Sequence, residues 1–436
     1  MIIKLKVYLA SALMMMLFLS TLAVAQDAEK FTTANMPEKM KIAIEQSLDD
    51  QAMSAKTKEV IKPGNPAGFL GIPGAPNPSL LMGFLWAIWV GWIFSTVGAF
   101  GGIMAGVGHI TIFGLADYAK SFGKGHPVNN LLTDSIRVSN QWLVGMSGLI
   151  SSFNYYRMGR LVAPLAICLA IGGVGASWLV PEFTAGKVSL KDYLGFFGLI
   201  VLVLGFFLIY ELTPRGAAGK KSAKAAAQAF EKATREKTDT SDQGVKILEG
   251  SWIFMWTALI MVVVSALWVN LIDWGRWIPY LMLIIGWSLT FLIGNVRFTF
   301  FAQEFSFKAY VPMLGGITIA AIASFIGVGG GFLYVPFLTS VAGLPMFLVA
   351  GTSGLCVLVG MIVSIFSYMV GKGVVIPWAF IGAELIGVFI GSMIGPRTSK
   401  YIPEKVLKGI FIILAFYVGI RYTTKGFLGY SILPPF

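Results

Sequence analysis

The chain has 436 residues, 56% of them hydrophobic and 12% charged, with a formal net charge of +12. Soluble domains are about 25% charged, so this chain has too little polar surface to cover a water-soluble core and reads as a polytopic membrane protein. Its basic residues lie mostly between apolar segments, with no basic-aromatic cluster, which excludes a nucleic-acid surface and points to membrane topology.

Residues 1–25 place Lys4 and Lys6 before an apolar stretch that closes on Ala23-Val24-Ala25. This is the pattern of a secretory signal peptide, here of a bacterial inner-membrane protein, with an uncleaved anchor helix as the alternative. Both put the next segment, 26–79, on the far side of the membrane. Within it, MPEKMKIAIEQSLDDQAMSAKTKEV has the spacing of one short amphipathic helix, and KPGNPAGFLGIPGAPNPS reads as an ordered loop.

A first transmembrane unit is expected over 80–213, with apolar segments near 81–100, 103–116, 135–156, 161–180 and 192–212. A basic loop over 214–250 follows, helical through AKAAAQAFEKA. An extra helix pair occupies 251–271 and 277–295 within the segment 251–308, and VRFTFFAQEFSFKAY alternates as a small β-hairpin does. The second unit, 309–430, has segments near 309–327, 331–341, 345–370, 374–395 and 405–424. Cys168 and Cys356 lie inside apolar segments without paired spacing and read as small buried hydrophobes.

The two units match each other weakly but in order. Gly106-Val107-Gly108 faces Gly327-Val328-Gly329. Tyr156-Arg157-Met158-Gly159-Arg160 faces Tyr368-Met369-Val370-Gly371-Lys372, and Ser139-Asn140-Gln141 faces Gly351-Thr352-Ser353. If each glycine-broken segment goes in and comes back, the units are inverted. Arg157, Arg160, the basic loop, Arg397, Lys400, Lys405 and Lys408 then all fall on the cytoplasmic side, as the positive-inside rule requires. The expected fold is an all-α polytopic membrane protein of two divergent inverted repeats. It has about 8–10 transmembrane spans plus two half-helices, a transporter pattern.

GVGGGFLYVPFL, followed by VAGTS at 349–353 and a Tyr-x-x-Gly turn, with a divergent first-half copy, resembles the TauE/SafE sulfite exporter family over about residues 80–430. The first copy departs at His109, opposite Gly330, and at Asn140, opposite Thr352. The resemblance implies transport of sulfur-containing anions such as sulfite, sulfonates or sulfate.

Broken backbone at membrane depth is tolerated where it is buried in protein or lines a cavity, and helix N–H groups attract oxyanions. Gly327, Gly329, Gly330 and Gly331, with Gly106 and Gly108 opposite, are therefore candidates for an anion cradle. Ser139, Asn140, Thr352 and Ser353 could complete it; close helix packing is the alternative. Arg157 and Lys372 are candidate cations, more simply read as charges at helix ends. Glu384 lies mid-segment with no nearby charge and is a proton-coupling candidate. His109, beside the first break, is another. No cofactor or metal is expected; the partners are a small anion and the bilayer. A proton-coupled secondary transporter leads over a passive anion channel and a membrane assembly or sensory subunit. An embedded enzyme has no motif to support it.

Overall fold

The computed structural model describes residues 33–98, 100–123, 125–184, 190–213, 221–236, 243–326 and 331–434. The expected signal peptide and Gly327, Gly329 and Gly330 lie outside them. In chain order the helices are α1 (Glu38–Asp49), α2 (Gln51–Val60), α3 (Leu80–Val97), α4 (Gly101–Val107), α5 (Leu115–Ser121), α6 (Pro127–Arg157), α7 (Ala163–Thr184), α8 (Leu190–Leu212) and α9 (Lys221–Arg235). After them come β1 (Lys246–Glu249), α10 (Trp252–Leu271), α11 (Trp277–Ile293), β2 (Asn295–Phe300) and β3 (Gln303–Lys308). The chain then forms α12 (Tyr310–Ile326), α13 (Gly331–Pro336), α14 (Met346–Phe366), α15 (Trp378–Ser399) and α16 (Glu404–Phe427). Wide π-turns follow α4 (Gly108–Ile112), α13 (Phe337–Val341) and α14 (Ser367–Gly371).

Among the described residues, five helical stretches are long and apolar enough to cross a membrane: Leu80–Val97, Trp252–Leu271, Met346–Gly371, Trp378–Ser399 and Glu404–Phe427. Shorter apolar stretches occur in α7, α8, α11, α12 and over Gly331–Val341. The chain is a multi-pass membrane protein. The 31-residue α6 is not among the apolar helices because it buries Ser135, Ser139, Ser147, Ser151, Ser152 and Asn154.

The single helix expected after residue 37 is two. Asp50 adopts extended backbone, and its carboxylate accepts from the N–H groups of Ala52 and Met53 (2.8 and 3.2 Å), capping α2. Met40 and Ile44 of α1 join Phe69, Leu70 and Ile72 of the Pro/Gly segment, Phe122, and Val128 and Leu132 of α6 in a separate apolar cluster. These residues form a cap on one end of the helical bundle. At the other end sit α9, the α6–α7 and α15–α16 turns, and an antiparallel sheet of order β1-β2-β3, which includes the expected hairpin.

The helices pair reciprocally between the halves: α3 with α15, α12 with α7, α6 with α14, and α8 with α16. Backbones touch directly in the first two pairs. A Cβ on Gly387 or Gly391 would stand 2.3 or 2.1 Å from a carbonyl oxygen of α3, and one on Gly172 would stand 1.9 Å from the Met313 carbonyl of α12. The order short helix, π-turn also recurs, in α4 with Gly108–Ile112 and in α13 with Phe337–Val341. The first break is the reversal at Gly98 (φ 75°) and Phe100 (φ 65°), ahead of Gly101. Gly106 and Gly108 lie one to two turns past this reversal; their expected counterparts Gly327 and Gly329 lie outside the described residues. Gly108 has its own steric reason, since a Cβ there would stand 2.4 Å from the Trp86 indole nitrogen.

A helical alanine at position 391 collides with backbone, whereas Gly382, on the same helix, has nothing within 4 Å of its Cβ position. Gly391→Ala is expected to destabilise the protein by about 1–3 kcal/mol, and Gly382→Ala to stabilise it by up to about 1 kcal/mol. Thermal unfolding of the two purified variants checks both signs.

His126 caps α6: its Nδ1 accepts from the Val128 N–H (3.2 Å), which leaves Nε2–H to donate to Thr57 Oγ1 (3.1 Å). Burial pushes this imidazole below its ordinary value of 6.5, against a weaker opposing pull from Asp50. Its contribution to cap docking is therefore complete above the unfolded value and lost as pH falls through the lower folded value. Protection factors of α1 and α2, corrected for the slower intrinsic exchange in acid, should fall on acidification below about pH 6.5. His126→Asn, which keeps the cap without a titratable ring, should flatten that response.

Candidate functional site

The first π-turn builds the site. The Phe113 N–H closes it on the Gly108 carbonyl (2.9 Å), and the Trp86 indole donates to the Met104 carbonyl (3.0 Å), holding the returning arm against α3. This directs His109 into the bundle, where it is 1% exposed. Glu384, on α15, is fully buried. Room for it comes from α3: a Cβ on Gly83 would stand 2.5 Å from the Phe380 ring and 3.2 Å from Glu384 Cγ.

His109 Nε2 lies 2.8 Å from Glu384 Oε2, and Nδ1 lies 2.6 Å from Asn140 Oδ1 on α6. Both ring nitrogens thus face acceptors, the partner set of an imidazolium beside a carboxylate. Moving the shared proton onto the carboxylate leaves the pair neutral without moving a heavy atom. Glu384 Oε1 is buried with no partner, as is the nearby chain position Ser139 Oγ on α6. An unsatisfied carboxylate oxygen in a membrane interior is costly and marks a place where a donor can bind. Phe113 and Phe380 pack edge to face with centroids 5.3 Å apart, each within 6.0 Å of the His109 ring. Phe113 also lines a surface cavity of about 280 Å³ at the cap end, with Pro76, Asn77, Pro78, Ser79, Met82 and Ile112.

From this triad a polar seam runs between α6 and α15 toward the opposite end. Ser147 and Ser392 hydroxyls meet at 2.8 Å. Further along, the Tyr155 hydroxyl donates to the Ser95 carbonyl (2.7 Å) and lies 2.9 Å from Ser399 Oγ. Arg160 Nη2 closes the seam on Ser399 Oγ at 3.4 Å. Fifteen residues of helix separate Asn140 from Tyr155 and Glu384 from Ser399, a rise of about 22 Å on each helix. Ser151 and Ser152 hydroxyls on α6 are buried without partners.

Of the residues expected from sequence, His109, Asn140 and Glu384 come together. Thr352 and Ser353 do not join them: Thr352 Oγ1 donates to the Leu348 carbonyl (2.7 Å) and accepts from the Val162 N–H (3.1 Å), while Ser353 Oγ donates to the Gly98 carbonyl (2.8 Å). Both hydroxyls tie second-half helix α14 to first-half turns. Gly331 opens α13, with its Cβ position 3.3 Å from Val357. Arg157 lies over the Phe153 ring and Lys372 over Tyr368, as charges at helix ends do. Sequence reasoning missed Trp86, Phe113, Phe380, Ser147, Tyr155, Ser392 and Ser399. The available signal was the recurrence of polar residues at helical spacing on α6 and α15 (140, 147, 151, 155; 384, 392, 399).

Residues 243–422 match the family model described as Sulfite exporter TauE/SafE. The TauE/SafE match takes in Glu384, the extra pair α10–α11, the hairpin and the second unit as far as Tyr422, so the extra pair lies inside the matched region. His109 and Asn140 lie before it. No curated protein and no solved structure matches.

If His109 and Glu384 satisfy each other, removing one costs more than removing both. Glu384→Leu should destabilise the protein by about 1–3 kcal/mol, because a buried N–H loses its acceptor. The double change His109→Leu with Glu384→Leu should recover part of that loss. Thermal unfolding of the four proteins of this cycle in one detergent measures the coupling.

Proposed function

We propose that the chain is a secondary transporter that carries a sulfur-containing oxyanion across a bacterial inner membrane together with protons. The two halves are inverted repeats, the cap faces the outside, and the end bearing α9 and the sheet faces the cytoplasm. The observation that carries the reading is the buried triad of His109, Asn140 and Glu384. It joins a first-half π-turn to a second-half helix at the head of a polar seam.

The charge arithmetic supports coupling. With one shared proton the His109–Glu384 pair is neutral. A second proton makes it +1, so a monoanion beside it forms a neutral complex that crosses a low-dielectric interior at far lower cost than the free anion. Loss of the anion lowers the affinity for the second proton, which then leaves. The unpartnered Glu384 Oε1 suits the hydroxyl of a protonated oxyanion such as hydrogen sulfite. Gly106, Gly108 and Ser139 line the same arm and helix as the triad. The glycine breaks are where the half-helices would shift between outward and inward access. The family description supports sulfite as cargo.

The test is uptake of labelled sulfite and sulfate by vesicles containing the purified protein, with and without an imposed proton gradient. Gradient-stimulated flux is expected in the wild type. In Glu384→Gln and His109→Gln the stimulation should fall about tenfold or more, while the proteins stay folded. Flux that ignores the gradient would show a channel, and no flux of either anion would defeat the reading.

A further inference from the structure

At the far end of the seam lies a cation that the triad does not use. α6 ends in a left-handed turn at Gly159 (φ 64°). The Gly159 N–H bonds the Tyr156 carbonyl (3.0 Å) and the Arg160 N–H bonds that of Tyr155 (2.8 Å), the paired bonds of a Schellman cap. The turn folds the chain back and drives the Arg160 side chain into the bundle, where it is 3% exposed.

Its guanidinium makes three long hydrogen bonds: Nε to the Phe347 carbonyl (3.3 Å), Nη1 to the Pro396 carbonyl (3.3 Å) and Nη2 to Ser399 Oγ (3.4 Å). The rings of Tyr155, Phe230 and Phe347 surround it at 4.8, 4.9 and 5.6 Å. No carboxylate pairs with it among the described residues. A buried charge without a counter-charge is costly, and arginine presents five N–H donors, of which three are used here. One N–H on each terminal nitrogen is left over, and two such donors on one guanidinium can bind an oxyanion bidentately.

We propose that Arg160 is the anion-binding cation of this protein and takes a sulfur oxyanion as its missing counter-charge; the inference rests on the transport reading above and adds the binding residue to it. Phe230, from amphipathic helix α9, is the ring that covers the guanidinium and moves aside for the anion. One residue further along both elements, Glu231 of α9 and Lys400 after α15 line a small surface cavity with Thr234, Arg235 and Tyr401. Arg235 and Lys400 there draw anions toward the covered site. Arg160 thus holds the anion at one end of the seam, on its way to or from the proton-carrying triad at the other.

The experiment uses the full-length protein in nanodiscs and two readouts. Equilibrium binding of labelled sulfate and sulfite is measured for wild type, Arg160→Lys and Arg160→Gln. Affinity should fall about tenfold or more in Arg160→Gln and less in Arg160→Lys, which keeps the charge but loses the fork. The second readout is modification of Arg160 by phenylglyoxal, followed by mass spectrometry, in the wild type and in Phe230→Ala. Sulfate and methanesulfonate serve as protectants, because hydrogen sulfite consumes the reagent. Labelling should be faster in Phe230→Ala, and either anion should slow it severalfold. This arm decides the matter alone if Arg160→Gln does not fold. Unchanged affinity in Arg160→Gln, failure of both anions to protect Arg160, or no anion binding by the wild type overturns the proposal. Protection of Arg160 in a protein whose vesicles show no flux would leave the site standing and defeat the transport reading instead.

Discussion

An imidazole and a carboxylate sealed inside a membrane bundle must satisfy each other, because lipid and apolar side chains offer neither a donor nor an acceptor. His109 and Glu384 do so at 2.8 Å while standing on different halves of the chain. Much of the architecture follows from that requirement. The π-turn is wide enough to aim His109 inward, Gly83 gives up its side chain to make space, and α3 lies backbone to backbone against α15 through Gly387 and Gly391. Asn140 then fixes the second ring nitrogen from α6.

The same constraint accounts for the seam. Polar side chains inside such a bundle are retained where they find partners or serve a path. Ser147 with Ser392, and Tyr155 with Ser399, find partners; Glu384 Oε1 and the hydroxyls of Ser139, Ser151 and Ser152 do not. An unfilled set of donors and acceptors lying between a titratable pair and a buried guanidinium is what a path for a hydrated or protonated anion requires. The aromatic closures differ at the two ends: Phe380 stands on the spanning helix α15 with Phe113 beside it at the end of the π-turn, whereas Phe230 is carried by α9, a helix outside the spans.

Composition alone made the membrane class legible, and local pattern located the hairpin, α9 and the first break in the apolar segments. His109 and Glu384 were each conspicuous as ionisable residues in apolar surroundings. Their partnership was not legible, because 275 residues separate them and it is long-range helix packing, α15 against α3 and α6, that joins their neighbourhoods. Of the two Gly-Val-Gly copies, the first makes room for Trp86 at Gly108, a steric reason that the sequence does not show. Thr352 and Ser353 drew notice as donors beside a glycine run, but helix–helix contacts consume their hydroxyls. Arg160 read only as a basic residue of the cytoplasmic side because sequence does not show that Gly159 turns it inward.

On this mechanism the His109–Glu384 pair changes its protonation when the anion binds. Infrared difference spectroscopy of the protein in lipid, recorded on adding sulfite or sulfate, observes the carboxylic-acid stretch directly. The account predicts a substrate-induced band that disappears in Glu384→Gln and shifts in His109→Gln. A difference spectrum in which Glu384 keeps the same protonation state with and without the anion would contradict it.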